Sequence, residues 1–251
     1  MLQIERQQKI LSRIEENGKG EIDTLAKDLK VSAMTIRRDL AALEKEGKLI
    51  RSHGGAVSTE RLIPETSYHN KMSKHTEHKR NIARHAAELI PKNAQIILDS
   101  GTTTLEIARL IKRRADLVIV TNDVKISIEL IDSKSRVICT GGDLQPNIGS
   151  FLGPHVKTML EQIEVDMLFL GAHAINTKSG ISAPTMDKAN VKKLMIKAAQ
   201  QIWVVADHSK FDQRAFANVC SLDTTDGVIT DDNLPTEKRK EYENIVTIEY
   251  R

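Results

Sequence analysis

Between Asp99 and Thr104 the chain reads Asp-Ser-Gly-Thr-Thr-Thr. An apolar run ends at Asp99, and a helical period opens near Thr103. The first N–H groups of a helix have no partner within it. They can bind an anion, with the threonine hydroxyls helping and Gly101 permitting close approach. The same residues could equally form a tight turn closed by a threonine cap. The stretch lacks the lysine of a triphosphate-binding loop and the glycine spacing of a dinucleotide fingerprint, which argues against both ligand classes. Other apolar runs end at Thr121 and Asn122, at Gly141 and Gly142, and at Asp207 and Lys210. Asp187 and Lys193, near the start of a helical stretch, offer a hydroxyl acceptor and a phosphate-binding cation. Ligands of open α/β sheets bind beyond the carboxyl ends of the strands, so these loops are expected to converge on one pocket.

A second group lies in VSAMTIRRDL, residues 31–40. Ser32 is placed to cap a helix in which Ile36, Leu40 and Leu43 recur on one face. Steps of 100° put Met34, Arg38, Ala41 and Lys45 on the opposite face, flanked by Thr35 and Arg37. Small polar groups at the helix start followed by arginines suit a helix set into the major groove of DNA. The next segment, KLIRSHGGAV, supplies Lys48, Arg51 and His53 beside a glycine pair, as a wing along the DNA backbone would need. The alternative is a solvated helix face on a small accessory domain.

The elements positioning these groups follow from periodicity. Helices are expected over 4–16, from Asp23 to Leu29, and from Ser32 to Gly47, then a hairpin: a winged helix-turn-helix over residues 1–57. Residues 58–76 are polar and irregular and read as a linker. From 77 to 251, after a helix over 77–90, short apolar runs alternate with helical segments: QIILD, LVIVTN, RVICTGG, DMLFLGA, IWVVAD, GVITD and IVTIEY. That alternation predicts an α/β domain with a mainly parallel sheet covered on both faces.

The chain has 251 residues, 40% hydrophobic, and a formal net charge of +3, so any basic character must be local. Cys139 and Cys220 form no metal or disulfide spacing and are expected as buried free thiols. The opening MLQIERQQKI has no apolar targeting segment, and no apolar run reaches membrane-spanning length, so a cytoplasmic location away from the membrane is expected. His69, His75, His78 and His85 cluster around the linker, but no cysteine or acidic set completes a zinc site, and they read as solvated. Ser100 has no nucleophile-elbow glycines around it.

Residues 6–57, from RQQKILSRIEENG through VSAMTIRRDL to SHGGAV, resemble the DNA-binding domain of the DeoR family of bacterial transcription regulators. The motifs DSGTTT, VTND, TGG, GSFLG, LFLGA and ADHSKF resemble that family's effector domain, so the resemblance spans the chain. It implies DNA contacts at Ser32, Thr35, Arg37, Arg38, Arg51 and His53, with Asp39 as an internal partner. It implies a fold related to ribose-5-phosphate isomerase and the CoA transferases, and an effector that is a phosphorylated sugar or sugar alcohol. Phosphate is then expected at Gly101, Thr102, Thr103 and Thr104. Sugar contacts are expected around Asp99, Thr121, Asn122, Gly142, Asp187, Lys193 and Lys210. No cofactor, metal or catalytic residue is expected. The partners expected are double-stranded operator DNA, the effector and further copies of the chain, as a dimer or tetramer. The rival reading is a sugar-phosphate isomerase or deaminase using Asp99, Asp187 or His208 as acid or base.

Overall fold

Apolar side chains at helical spacing gather the N-terminal residues around one small core. In the computed structural model, which describes residues 2–17, 19–46, 48–52, 54–58 and 62–251, the chain divides into two units. They are Met1–Ile63 with Asp212–Arg214, and Pro64–Phe211 with Ala215–Arg251.

The first unit contains α1 (Gln3–Asn17), β1 (Lys19–Glu21), α2 (Ile22–Leu29), α3 (Ala33–Lys45), β2 (Leu49–Ser52) and β3 (Gly55–Ser58). Strand β3 lies between β1 and β2, antiparallel to both. Ile10, Ile14, Leu25, Ile36, Leu40, Leu43 and Leu49 are buried together. Ile4, though apolar, is 71% exposed and lies off the buried face of α1. Helix α2 begins at Ile22, one residue before the expected start at Asp23, and Glu21 caps it without a side-chain bond. Ser32 caps α3 as expected, accepting from the Thr35 N–H at 3.1 Å. A side chain at Gly55 would put its Cβ 2.1 Å from the Gly20 carbonyl oxygen, so only glycine lets β1 and β3 pair this closely. Three helices with a β-hairpin wing make this unit a winged helix-turn-helix.

One buried ion pair ties the unit together. Asp39, 2% exposed on α3, accepts from Arg6 Nε at 2.5 Å and Arg6 Nη2 at 3.1 Å. Removing one member of such a pair strands the other charge. Asp39→Ala should therefore destabilise the unit by about 2–3 kcal/mol, less than full burial would cost because Arg6 keeps some solvent. Amide hydrogen exchange would register this as lost protection in α1 and α3, while the second unit's amides stay unchanged; uniform protection would count against the pair.

The second unit contains α4 (Tyr68–Met72), α5 (Thr76–Glu88), β4 (Gln95–Leu98), α6 (Thr102–Ile111), β5 (Val118–Thr121), α7 (Val124–Glu129) and β6 (Arg136–Cys139). There follow β7 (Asp143–Leu144), β8 (Phe151–Leu152), α8 (Pro154–Leu160), β9 (Val165–Gly171), β10 (Ala174–Asn176) and β11 (Gly180–Ala183). The chain continues with α9 (Met186–Ala198), β12 (Ala199–Val205), β13 (Ala217–Cys220), β14 (Gly227–Thr230), α10 (Thr236–Glu243) and β15 (Ile248–Tyr250). Seven strands form one parallel sheet in the order β15-β14-β12-β9-β4-β5-β6. All seven expected strands lie in it. Alternate residues feed two cores: Ile97, Leu168 and Leu170 on one face, and Ile96, Leu98, Met167 and Phe169 on the other. From β4 the chain winds outward through β5 and β6, then returns to β9 on β4's other side. The switch point therefore lies between the carboxyl ends of β4 and β9, where open α/β sheets place their ligands.

Two expectations are corrected here, and two small sheets are added. The segment 64–76 belongs to the second unit: α4 forms within it, and Tyr68 and Met72 pack on the apolar core. A further antiparallel sheet, β10-β11-β13, and the β7-β8 hairpin arise from segments too short to show a period. Cys139 is exposed rather than buried, because β6 is the edge strand.

Candidate functional site

At the switch point a cleft of about 640 Å³, open mouth included, is lined by the 100–104 turn, residues 171–173 after β9, and residues 205–207 with Lys210 after β12. Helix α6 starts at Thr102 with Gly101 as its N-cap and no side-chain cap bond, so its first N–H groups face the cleft region without a capping oxygen. Five lysines line the same cleft: Lys71, Lys79, Lys188, Lys192 and Lys210. Three carboxylates accompany them. Glu65 accepts from Lys71 at 2.8 Å and pairs with Lys188 at 2.5 Å. Asp99 pairs with Lys192 and accepts from the Gly171 N–H at 3.0 Å. Asp207 is buried and accepts from the Ser209 N–H at 3.1 Å. Cations exceed anions at a helix N-terminus, an arrangement fitted to a dianion.

The titration tendencies follow from this packing. Burial pushes Lys79 down to about 8, against the pull of Asp207. Burial also lowers Lys210, again opposed by Asp207. Burial by itself would raise Glu65, but the bonds from Lys188 and Lys71 outweigh it and hold the carboxyl at about 2. Its ion pairs therefore stabilise the fold fully above the ordinary glutamate range, and that contribution is lost as pH falls toward 2. His173 is kept neutral by burial and by Lys71 nearby, and its Nε2 lies 3.1 Å from the Pro64 carbonyl oxygen. Donating there leaves Nδ1 as an acceptor at the cleft.

The expected effector residues divide into three sets. Gly101, Thr102, Thr103 and Lys210 line the cleft. Thr104 lines it too, but its hydroxyl donates to the Asp99 carbonyl at 2.6 Å and so braces the turn. Asp99 and Asn122 border a smaller adjoining cavity, with Ser100, Ser150, Leu152, Lys188, Val191 and Lys192. Asn122 also steadies the turn, accepting from the Ser100 N–H at 2.9 Å. Four expected residues line neither space. Thr121 is fully buried and its hydroxyl accepts from the Asp123 N–H. Gly142 is present for its backbone: φ is +107° and a Cβ would meet the Leu152 carbonyl oxygen at 2.5 Å. Asp187 is exposed and Lys193 lies outside the lining. On α9 the cleft face is instead that of Lys188 and Lys192, four residues apart and so on one side of the helix. Lys71, Lys79 and His173 were missed because single polar residues on a helix or loop carry no periodic signal. The three candidate acid–base groups do not converge, since Asp187 is exposed and the His208 ring bonds Asp231 away from the cleft lining.

In the first unit, Met34, Arg37, Arg38, Ala41 and Lys45 are all exposed, opposite the buried Ile36, Leu40 and Leu43. Ser32 is exposed and Thr35 half-buried, their hydroxyls 2.9 Å apart. Arg51 is exposed, with its Nη1 3.7 Å from Glu44 Oε2. His53 lies outside the described residues.

A helix-turn-helix unit joined to an α/β unit with a cationic cleft defines a DNA-binding regulator with a sensor domain. Comparison with known proteins agrees: residues 6–61 match the DeoR-like helix-turn-helix domain and residues 74–232 the DeoR C terminal sensor domain. The chain is 36% identical to the HTH-type transcriptional regulator GlpR of Haloferax volcanii, over 97% of this chain and 96% of that one. It is 36% identical to the putative aga operon transcriptional repressor of Escherichia coli O157:H7, over 93% and 88%. To the Glycerol-3-phosphate regulon repressor of Escherichia coli K12 it is 30% identical, over 92% of each. A ribose 5-phosphate isomerase A from Methanocaldococcus jannaschii aligns with a TM-score of 0.42 at 15% identity, over 55% of each chain. The chain belongs to the DeoR family of transcriptional regulators. It is a DNA-binding regulator and not an enzyme. No helix among the described residues is long and apolar enough to cross a membrane.

Proposed function

We propose that the protein is a cytoplasmic repressor of a carbohydrate-utilisation operon, controlled by a phosphorylated sugar or sugar alcohol. The observation that carries the effector is the cleft: a helix N-terminus facing five lysines at the switch point of the sheet. Phosphate sits on the Thr102 and Thr103 N–H groups, with Lys188 and Lys210 neutralising it. The hydroxyl-bearing carbons extend toward Asp99 and Asn122 in the adjoining cavity. Ser32, Thr35, Arg37 and Arg38 read operator DNA, with Arg51 on the wing. One winged helix buries too little surface for firm specific binding, so the chain works as a dimer or tetramer on paired half-sites. A thermal-shift screen of sugar phosphates, starting from glycerol 3-phosphate because one relative carries that name, tests the reading. Failure of every phosphorylated sugar and polyol to raise the melting temperature would sink it.

Glu65 gives this cleft a means of signalling. It lies just after Ile63, where the first unit ends, and its carboxylate holds two of the phosphate-facing lysines. A bound phosphate competes with Glu65 for Lys71 and Lys188, so the ligand loosens the segment leading to the DNA-binding unit. Glu65→Gln removes the competitor. It should tighten ligand binding about fivefold while lowering stability at neutral pH by about 1 kcal/mol. Calorimetric titration and thermal melting read the two effects, and unchanged ligand affinity would refute the competition.

A further inference from the structure

Three histidines from two distant segments of the chain meet beside the end of β12. His75 and His78 open α5, and His208 follows β12 by three residues. The ring centroids lie 4.9 Å (His75–His208), 5.5 Å (His78–His208) and 6.0 Å (His75–His78) apart. One ring nitrogen from each falls within 4.8 Å of the others, and all three rings are half-buried.

We propose that His75, His78 and His208 form a divalent transition-metal site of the zinc class. Imidazole suits Zn²⁺, Ni²⁺ and Co²⁺, and three protein nitrogens with a fourth position left open is a recurrent zinc arrangement. Two nitrogens on one tetrahedral ion stand about 3.4 Å apart, given bonds of about 2.0–2.1 Å. Small rotations of half-buried rings bring the three nitrogens to that spacing.

The surrounding groups support ligation. His208 Nδ1 lies 2.8 Å from Oδ1 of the fully buried Asp231, whose other oxygen accepts from the His208 N–H at 2.8 Å. That carboxylate fixes the ring so that Nε2 carries the free lone pair, as outer carboxylates do for metal-bound histidines. Asn233 Nδ2 lies 3.1 Å from His78 Nε2 and occupies that lone pair, so ligation requires the amide to turn and present its oxygen or leave the ring; the Asn233 backbone N–H donates to Asp231 at 3.0 Å. Lys79 and Lys210 are the cations acting on His75, opposed there by Asp207, while Asp231 lies against His208 and 3.8 Å from His78 Nδ1. An ion here would pin the start of α5 to the 208–210 turn. The site does not depend on the phosphate reading, because its binding is measured with metal alone.

The test uses the tag-free full chain, stripped with chelator and titrated with Co²⁺. The expected result is one equivalent per chain, with the visible absorption of four- or five-coordinate Co²⁺, displaced by Zn²⁺. His78→Ala and His75→Asn should each weaken binding at least tenfold. Asparagine is chosen because it tolerates the left-handed backbone at position 75, where φ is 55°. His85→Ala, on the same helix but paired with Glu249, should bind as wild type does. Circular dichroism checks that each variant is folded. Absence of stoichiometric Co²⁺ binding, or equal binding by wild type and both ligand variants, would overturn the site and mark any uptake as adventitious.

Discussion

Thr102→Asp should make the protein blind to its effector while leaving it folded. The side chain lies at the first position of α6, 7% exposed and lining the cleft. An aspartate there is favourable to the helix, since a negative charge complements the partial positive charge of a helix start. It is also surrounded by lysines, so the melting temperature should hold or rise. For a phosphate dianion the same carboxylate is an obstacle. A single charge about 5 Å from a dianion at an effective dielectric near 20 costs about 7 kcal/mol before the lysines screen it. Half of that is enough to weaken binding more than 100-fold. A ligand shifts a conformational equilibrium only by its differential affinity for the two states, so operator affinity should become independent of ligand. The measurement is operator binding by wild type and variant, each with and without a sugar phosphate that stabilises the wild type. An intact ligand response in the variant would place the phosphate elsewhere. Thr102→Ser, which keeps the hydroxyl and adds no charge, should respond nearly as wild type does.

Replacing Arg37 and Arg38 together by alanine should nearly abolish specific DNA binding and leave stability unchanged. Both side chains are exposed, and the buried face of α3 belongs to Ile36, Leu40 and Leu43. Alanine is also the best helix former, so α3 loses nothing by the change. An arginine that reads a guanine edge is worth about 1–3 kcal/mol, and a dimer makes each contact twice. The double variant should therefore bind at least 100-fold more weakly. The single variants separate the two roles. The base-reading arginine, when removed, relaxes preference at one operator position. Removing a phosphate-binding one weakens all sequences alike and reduces the salt dependence by about one unit per contact. Titrations on operator and scrambled DNA at several salt concentrations decide between them. Undiminished affinity in the double variant would remove α3 from the DNA interface.

Strong local periodicity makes much of this protein legible in its sequence. Ile36, Leu40 and Leu43 repeat at helical spacing, so the inner face of α3, and with it the outward arginines, follows from geometry along one helix. The seven strands of the parallel sheet are continuous apolar runs because both faces are covered, and runs of that kind stand out in a sequence. The turn at the start of α6 is visible for the same local reason: a strand end, a glycine and a helix start are neighbours in the chain. Groups assembled from distant segments were not visible. Asp187 and Lys193 differ from Lys188 and Lys192 by one residue in opposite directions, and only the packing of α9 decides which pair faces the cleft. Thr121 and Gly142 sit where strand-end reasoning puts ligand contacts, yet the backbone of the turns that follow uses them up. Glu65 reaches Lys188 across more than a hundred residues of chain, and His208 reaches His75 and His78 across a similar span. Contacts of that kind carry no period and no local composition signal, because the register and order of the strands create them. The sequence therefore determines which elements form and which faces they bury, while the docking of those elements selects the lysines, the carboxylates and the histidines that stand together.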